Sequence, residues 1–343
     1  MSIELRPAPA GDVPASATET AVGGPLARAL ALARFAAGHG IVVAFLALFV
    51  TLSVASDSFL TKTNLLNVLE LNADIGIVAC AFTLVVVAGG LDLSVGAIYG
   101  FAGVVAAELA IHLGVVPGLA IGAASGAALG ACNGLLVTVG RVNSFIATLA
   151  AGIVIRSVAL VITGGGRVVP DPDSSFSSLG THALLGLRYS VWLFALVALV
   201  TGTVLARGRF GRQATVVGIN AAAARLSGVA VERVRFLTFV ASGLAAGIAG
   251  VVIASRGGQA GADAGGGFEL PVIAAVAIGG TSFAGGEGAV WRTVLGVLFI
   301  GLVNNGLNLL DVDPRYQQLV LGVLVLAAVG ADLLARRSRR QGA

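Results

Sequence analysis

Apolar runs, each close to the length needed to cross a bilayer and parted by short polar breaks, follow one another from residue 40 to residue 334. No feature narrows the folding options more. A transmembrane helix needs about 20 mainly apolar residues, and in hydrocarbon every backbone N–H and C=O must be satisfied within the chain. Hydrophobic residues make up 57% of the 343 and charged residues 11%, where a soluble domain carries roughly 25% charged. Mean hydropathy is +0.97. These values exclude a soluble enzyme or binding module and predict an all-α polytopic membrane protein.

The pattern predicts ten transmembrane helices. The first is 40–55, followed by a polar patch at 56–67; the second, 71–88, stops at Gly89-Gly90-Leu91-Asp92-Leu93-Ser94. The third, 95–112, turns at 114–118 into the fourth, 119–139, and the fifth is 145–162. A loop at 164–189, rich in Gly, Pro and Ser, precedes the sixth, 191–206, with Tyr189 and Trp192 as interface anchors. After the central polar segment come 237–255, a glycine-rich loop at 256–270, a short eighth segment at 272–283 that reads as broken or partly re-entrant, then 293–310 and 319–334. Residues 1–37 form a polar to amphipathic tail with no signal-peptide order, 38–335 the membrane domain and 336–343 a basic tail.

Residues 207–236 are the one large polar segment inside this domain, and they hold Arg207, Arg209, Arg212, Arg225, Arg233 and Arg235. Short arginine-rich loops stay on the cytoplasmic side. With this loop inside, both termini are cytoplasmic, and 15 Lys and Arg fall inside against 5 outside, with Arg156 within a span. Asn220 is placed to cap a short helix over Ala221, Ala222, Ala223, Ala224, Arg225 and Leu226, with Gly228 just past its end. A cytoplasmic helix between two spans suits the grip of a partner.

Other classes fall away. The net charge of +4 comes from arginines at span ends, which membrane topology explains without nucleic acid. Cys80 and Cys132 lie in apolar segments as small core residues. His39, His112 and His182 are scattered, and neither a metal motif nor a phosphate-binding loop occurs. The sequence therefore predicts no catalytic residue, metal or cofactor in this chain; an ATPase that drove it would be a separate protein.

Ionisable groups inside spans cost about 2.5 to 3.5 kcal/mol each and need a reason. Asp92 stands where a helix restarts. It reads as a cap for the third span and, compatibly, as part of a broken helix with Ser94 beside a translocation path. Asn304, Asn305 and Asn308 fall on the ninth span, Asn304 and Asn308 sharing a face. Interhelical hydrogen bonding explains them; if they line the path, their amides suit a neutral polyhydroxyl solute. Arg156 can pair with a carboxylate such as Glu108 or Asp74. An echo of Gly89-Gly90 and Asn133-Gly134-Leu135 in Gly279-Gly280 and Asn305-Gly306-Leu307 has the form of an inverted repeat, a common transporter device.

Several motifs carry a resemblance in order along residues 40–334: Gly89 to Gly96, Asn133-Gly134-Leu135-Leu136 with Ser144 to Leu149, Gly218 to Gly228, Phe268-Glu269-Leu270, Gly279-Gly280-Thr281-Ser282, and Asn304 to Leu309. Together they resemble the permease subunits of ribose-type sugar ABC importers. The resemblance implies a bacterial inner-membrane permease for a monosaccharide, working as a homodimer or paired with a paralogue. It also implies a cytoplasmic ABC ATP-binding subunit and a periplasmic or lipoprotein solute-binding protein. Asn220, Ala223, Arg225, Leu226 and Gly228 would then form the ATPase-coupling element. The chain departs from the family pattern at Ala221 and Ala222, where a Glu is usual, and at Pro271, where an Asp is common. The same architecture also serves branched-chain amino acids, nucleosides and furanose signals, and an ion-coupled secondary transporter is a further class.

Overall fold

The computed structural model describes residues 40–313 and, with interruptions, residues 315–330. The tail 1–37, the basic tail 336–343 and half of the expected tenth crossing lie outside the described residues. Those described form an all-α membrane architecture. Six helices are long and apolar enough to cross a bilayer, and a bent pair makes a seventh.

The segment expected as the first crossing is α1, Gly40–Ala55, an apolar helix with the expected bounds but only 16 residues long. The second is longer than expected and bent: α2, Lys62–Leu71, and α3, Ala73–Val87, meet at 46°. Thr61 caps α2 by accepting from the Asn64 N–H, so half of the patch expected outside is helical. The next helices are α4, Val95–Leu113, α5, Val115–Thr138, and α6, Ser144–Thr163. Gly114 alone makes the turn between α4 and α5, with φ +90°. Pro117 sits in the first turn of α5, where its missing N–H has no helical partner to lose; the expected turn at 114–118 is corrected to that single residue.

Next come α7, Tyr189–Arg207, α8, Arg209–Ile219, α9, Ala221–Leu226, and α10, Val231–Gly257. The central polar segment is thus mostly helical, and α10 begins within it. The eighth segment is α11, Glu269–Ile278, only 10 residues or about 15 Å long, half of the hydrocarbon thickness. It starts and ends earlier than expected. Finally α12 is Val290–Leu309.

Helix α3 is the hub. It is apolar all round, and all of its residues but Ile75 are buried, among α7, α10, α11 and α12. Beside it, α10 meets α5 backbone to backbone. Gly118, Gly122, Gly126, Gly130 and Gly134 repeat at every fourth position of α5 and are all buried. A β-carbon on Gly126 would stand 2.3 Å from the Gly243 carbonyl oxygen, and one on Gly130 2.4 Å from that of Phe239. Where lipid removes any hydrophobic preference between helices, such close approach is the source of the attraction.

The outer loop folds as a cap. Strand β1, Arg167–Val168, pairs with β4, Ala260–Gly261, and β2, Ala183–Leu184, with β3, Leu187–Arg188. The Ser255 hydroxyl, near the end of α10, donates to the Phe176 carbonyl at 2.6 Å and accepts from the Gly180 N–H at 2.9 Å. Arg188 reaches Glu70 at 2.7 Å, and Trp192 donates to the Leu184 carbonyl.

Candidate functional site

The break between α3 and α4 holds a buried polar network. One Asp92 carboxylate oxygen accepts from the Ser94 N–H at 3.1 Å and from the Ser94 hydroxyl at 2.5 Å, and the other accepts from Ser242 of α10 at 2.9 Å. Asn133 of α5 donates to the Ser94 hydroxyl at 2.7 Å. Asp92 and Ser94 are fully buried. Ser94, not Asp92, occupies the cap position of α4 and makes no side-chain cap bond. Asp92 acts from two residues upstream, closing a tight turn and tying it to α5 and α10. The Leu91 and Leu93 N–H groups donate to Ser144 and Thr148 of α6. Every strand of this break therefore has a partner in a neighbouring helix.

In the arginine-rich segment Asn220 caps α9, its side-chain oxygen accepting from the Ala222 and Ala223 N–H groups, each at 3.0 Å. Gly228, φ +79°, ends the helix in the left-handed conformation that glycine permits. Only Ala224 of α9 is buried. Leu226 is 91% exposed and Ile219 69%, an apolar pair presented to water. Arg225 is bound within the chain, forming an ion pair with Glu232 on the first turn of α10. Arg225, Glu232, Arg235, Arg141 and Ser144 line a polar cavity of about 760 Å³ that reaches Gly89 and Gly90.

The end of α8 meets both membrane breaks. A β-carbon on Gly218 would lie 1.9 Å from the Val87 carbonyl oxygen and 2.4 Å from the Gly286 nitrogen. The Gly286 N–H donates to that same Val87 oxygen at 2.8 Å. Gly286 belongs to the loop after α11, so one glycine contact joins the cytoplasmic helices to the ends of α3 and α11.

The asparagines of α12 separate. Asn305 exchanges two hydrogen bonds with Asn64 of α2, at 3.1 and 2.7 Å, and Asn308 accepts from Gln317 at 2.7 Å. Asn304 is half-buried on the same helix. Helix-to-helix bonding thus accounts for Asn305, and the five expected path residues do not converge on one spot. The pairing expected for Arg156 is corrected as well: Glu108 faces His112 at 3.4 Å, and Asp74 accepts from the Tyr99 hydroxyl at 3.0 Å. Arg156 is exposed and makes no ion pair among the described residues. Its guanidinium lies 3.6 Å from where a β-carbon on Gly266 would stand. Cys132 also departs from expectation, being exposed on α5 while Cys80 is buried.

The loop 262–268 leads into α11 and is fixed by Phe268, whose ring stacks on Tyr99 with centroids 4.1 Å apart. Above it, Tyr99, Arg167, Arg256, Gln259 and Asp263 border an outer cavity of about 380 Å³. Among the described residues no three His, Cys, Asp or Glu side chains gather to hold a metal ion. Sequence reasoning missed the Gly218 contact and the neighbourhood of Arg156 and Glu269. The signal that could have marked the close α5–α10 pair is the run of glycines at every fourth position of α5, Gly118 to Gly134.

Residues 64–329 match the family model described as branched-chain amino acid transport system / permease component. The chain is 39% identical over 295 residues, 85% of its length and 92% of the relative's, to the ribose import permease protein RbsC of Escherichia coli (strain K12). It is 40% identical over 294 residues to RbsC of Bacillus subtilis (strain 168), covering 84% of this chain and 91% of that one. It is also 40% identical over 303 residues to the L-arabinose ABC transporter permease protein AraH of Azospirillum brasilense, covering 88% and 89%. No solved structure matches the chain.

Proposed function

Because this chain belongs to the family of branched-chain amino acid transport system permease components, we propose that it is the permease subunit of an ATP-driven monosaccharide importer. The observation that carries the reading is likeness along nearly the whole of both chains to permeases named for ribose and for L-arabinose import. ATP hydrolysis then belongs to a separate cytoplasmic subunit, a solute-binding protein delivers sugar from outside, and a second permease copy or paralogue completes the path. The chain itself needs no cofactor. It sits in the bacterial inner membrane with ten crossings and both ends cytoplasmic, α11 and the loop before it making the eighth.

The coupling element is residues 220–228. What supports this is an exposed, doubly capped helix on the arginine-rich side, with Leu226 and Ile219 facing water. Ala222 and Ala223 offer a smooth surface, so the grip rests on shape and on Leu226. Arg225 holds α9 to α10 rather than reaching for the partner. A push on α9 moves α8, and Gly218 passes that movement to the breaks after α3 and α11. Asp92 and Ser94 brace the first of these breaks.

The test is uptake by the full complex. Cells carrying this permease with its ATPase and binding protein should accumulate labelled ribose or L-arabinose, and ATP depletion should abolish it. Accumulation that survives ATP depletion but not a proton uncoupler would sink the reading in favour of an ion-coupled carrier. Uptake of leucine but of neither pentose would move the chain to the amino-acid branch.

A further inference from the structure

We propose that Arg156, Glu269 and the glycine loop 265–267 form a midplane contact site for a neutral polyhydroxyl solute, on a face that lines a water-filled path. The inference rests on the permease reading above and goes beyond it by naming where the solute touches the chain.

Depth comes first. Helix α10 has 27 residues, about 40 Å, enough to cross with a turn to spare at each end. Ser242, near its middle, bonds Asp92, and a β-carbon on Gly250 would lie 2.0 Å from the Tyr99 carbonyl. Residues 92–99 therefore lie beside the central turns of α10. A β-carbon on Gly96 would stand 2.5 Å from both a Glu269 carboxylate oxygen and the Gly265 carbonyl. The loop and the start of α11 are thus near the bilayer centre. On α6, Gly152 faces Ser94 and Ala97, and Arg156 follows one turn later, about 6 Å along the axis and still in the middle third of the helix.

Exposure comes second. Arg156, Gly266, Gly267 and Leu270 are exposed and Glu269 is half-buried. Against lipid this arrangement is untenable. A guanidinium at the centre is costly, and turn backbone at that depth is tolerated only inside protein or along a water-filled cavity. With neither protein cover nor an ion pair for Arg156 among the described residues, this face fits the wall of the water-filled path that the second permease copy completes.

Chemistry comes third. The guanidinium presents five N–H donors in a rigid fork that spans adjacent hydroxyls, and the carboxylate accepts from others. One cation and one anion leave the site near neutral, so no ion is trapped there. Gly265 is packed on the Gly96 carbonyl, and the absent side chains of the exposed Gly266 and Gly267 let a ring approach the backbone closely.

Cysteine accessibility in the complete transporter tests this. In a Cys80→Ala, Cys132→Ala background, single changes Arg156→Cys, Gly266→Cys and Leu270→Cys are compared with Val154→Cys, on the opposite face of α6 at similar depth. A charged, membrane-impermeant methanethiosulfonate should label the first three at least tenfold faster than Val154→Cys, and ribose or L-arabinose during turnover should slow it. Equal rates, or labelling of these positions only by a lipophilic maleimide, overturn the path. Protection by leucine in place of sugar overturns the solute class. Arg156→Leu and Glu269→Gln should raise the pentose concentration for half-maximal uptake at least fivefold, and Arg156→Lys should recover part of it. An unchanged half-maximal concentration in both variants overturns the contact role. If the unmodified complex takes up no sugar the permease reading fails, and the labelling pattern still reports the face independently.

Discussion

Gly218 packs on the Val87 carbonyl so tightly that a β-carbon there would stand 1.9 Å from the oxygen. Gly218→Ala must push α8 away from the ends of α3 and α11. Overpacking of this kind costs about 1 to 3 kcal/mol. The variant should melt earlier in detergent and lose most ATP-driven uptake, yet still co-purify with the ATPase, since α9 is untouched. Ile219→Ala, which removes a side chain resting on Gly286, should lower uptake with little effect on melting. Wild-type uptake in both variants would exclude the junction from coupling.

The Arg225–Glu232 pair gives a charge-swap test. Surface ion pairs contribute about 0 to 1 kcal/mol, so Arg225→Glu should leave insertion intact while setting two carboxylates against each other and loosening α9. Adding Glu232→Arg should restore uptake, if the pair only fixes the helix. A swap variant that folds but fails to recover co-purification would show that the ATPase reads the charge of Arg225 itself.

Leu226, 91% exposed, is the natural knob for a partner's groove. Leu226→Asp should leave melting unchanged within about 0.5 kcal/mol, as surface changes do. Recovery of the ATPase on affinity purification should drop at least tenfold. Full recovery would place the grip elsewhere on the cytoplasmic face.

Asp92 accepts bonds from Ser94 and Ser242 in a fully buried setting. Asp92→Ala strands these donors, at about 1 to 3 kcal/mol for each group left unsatisfied, and should prevent accumulation of folded protein or lower melting sharply. Asp92→Asn keeps an acceptor and should fold with a smaller loss, and Ser242→Ala a smaller one still. Normal stability but no uptake in Asp92→Asn would instead put the carboxylate on the solute's route.

Gly126→Leu drives a side chain into the Gly243 carbonyl across the α5–α10 contact. Separation of these helices should abolish folded protein in detergent extracts. Monodisperse, thermally stable protein would contradict the packing.

Much of this was legible because lipid makes hydropathy a direct readout of span. The bounds of α1 and the Asn220 cap with Gly228 were read from residue type alone, since both rest on local chemistry. Local chemistry also explains what escaped. The bend at Asn72 depends on what packs around α2 and α3, and the placement of Pro117 inside α5 depends on which backbone groups are already without partners. Asn305 meets Asn64 only through the tertiary arrangement, so sequence could identify it as costly in lipid but not name its partner. Arg156 was recognised as needing a reason, but the two carboxylates expected for it, Glu108 and Asp74, bond His112 and Tyr99 instead, a matter of tertiary arrangement.

The clasp of Ser255 on Phe176 and Gly180 has a mechanical sequel. It fastens the outer cap to one tip of α10, and the Arg225–Glu232 pair fastens the cytoplasmic helix to the other. Between them runs one uninterrupted rod. Whatever tilts the cap carries α9 with it, because both are pinned to the same rod.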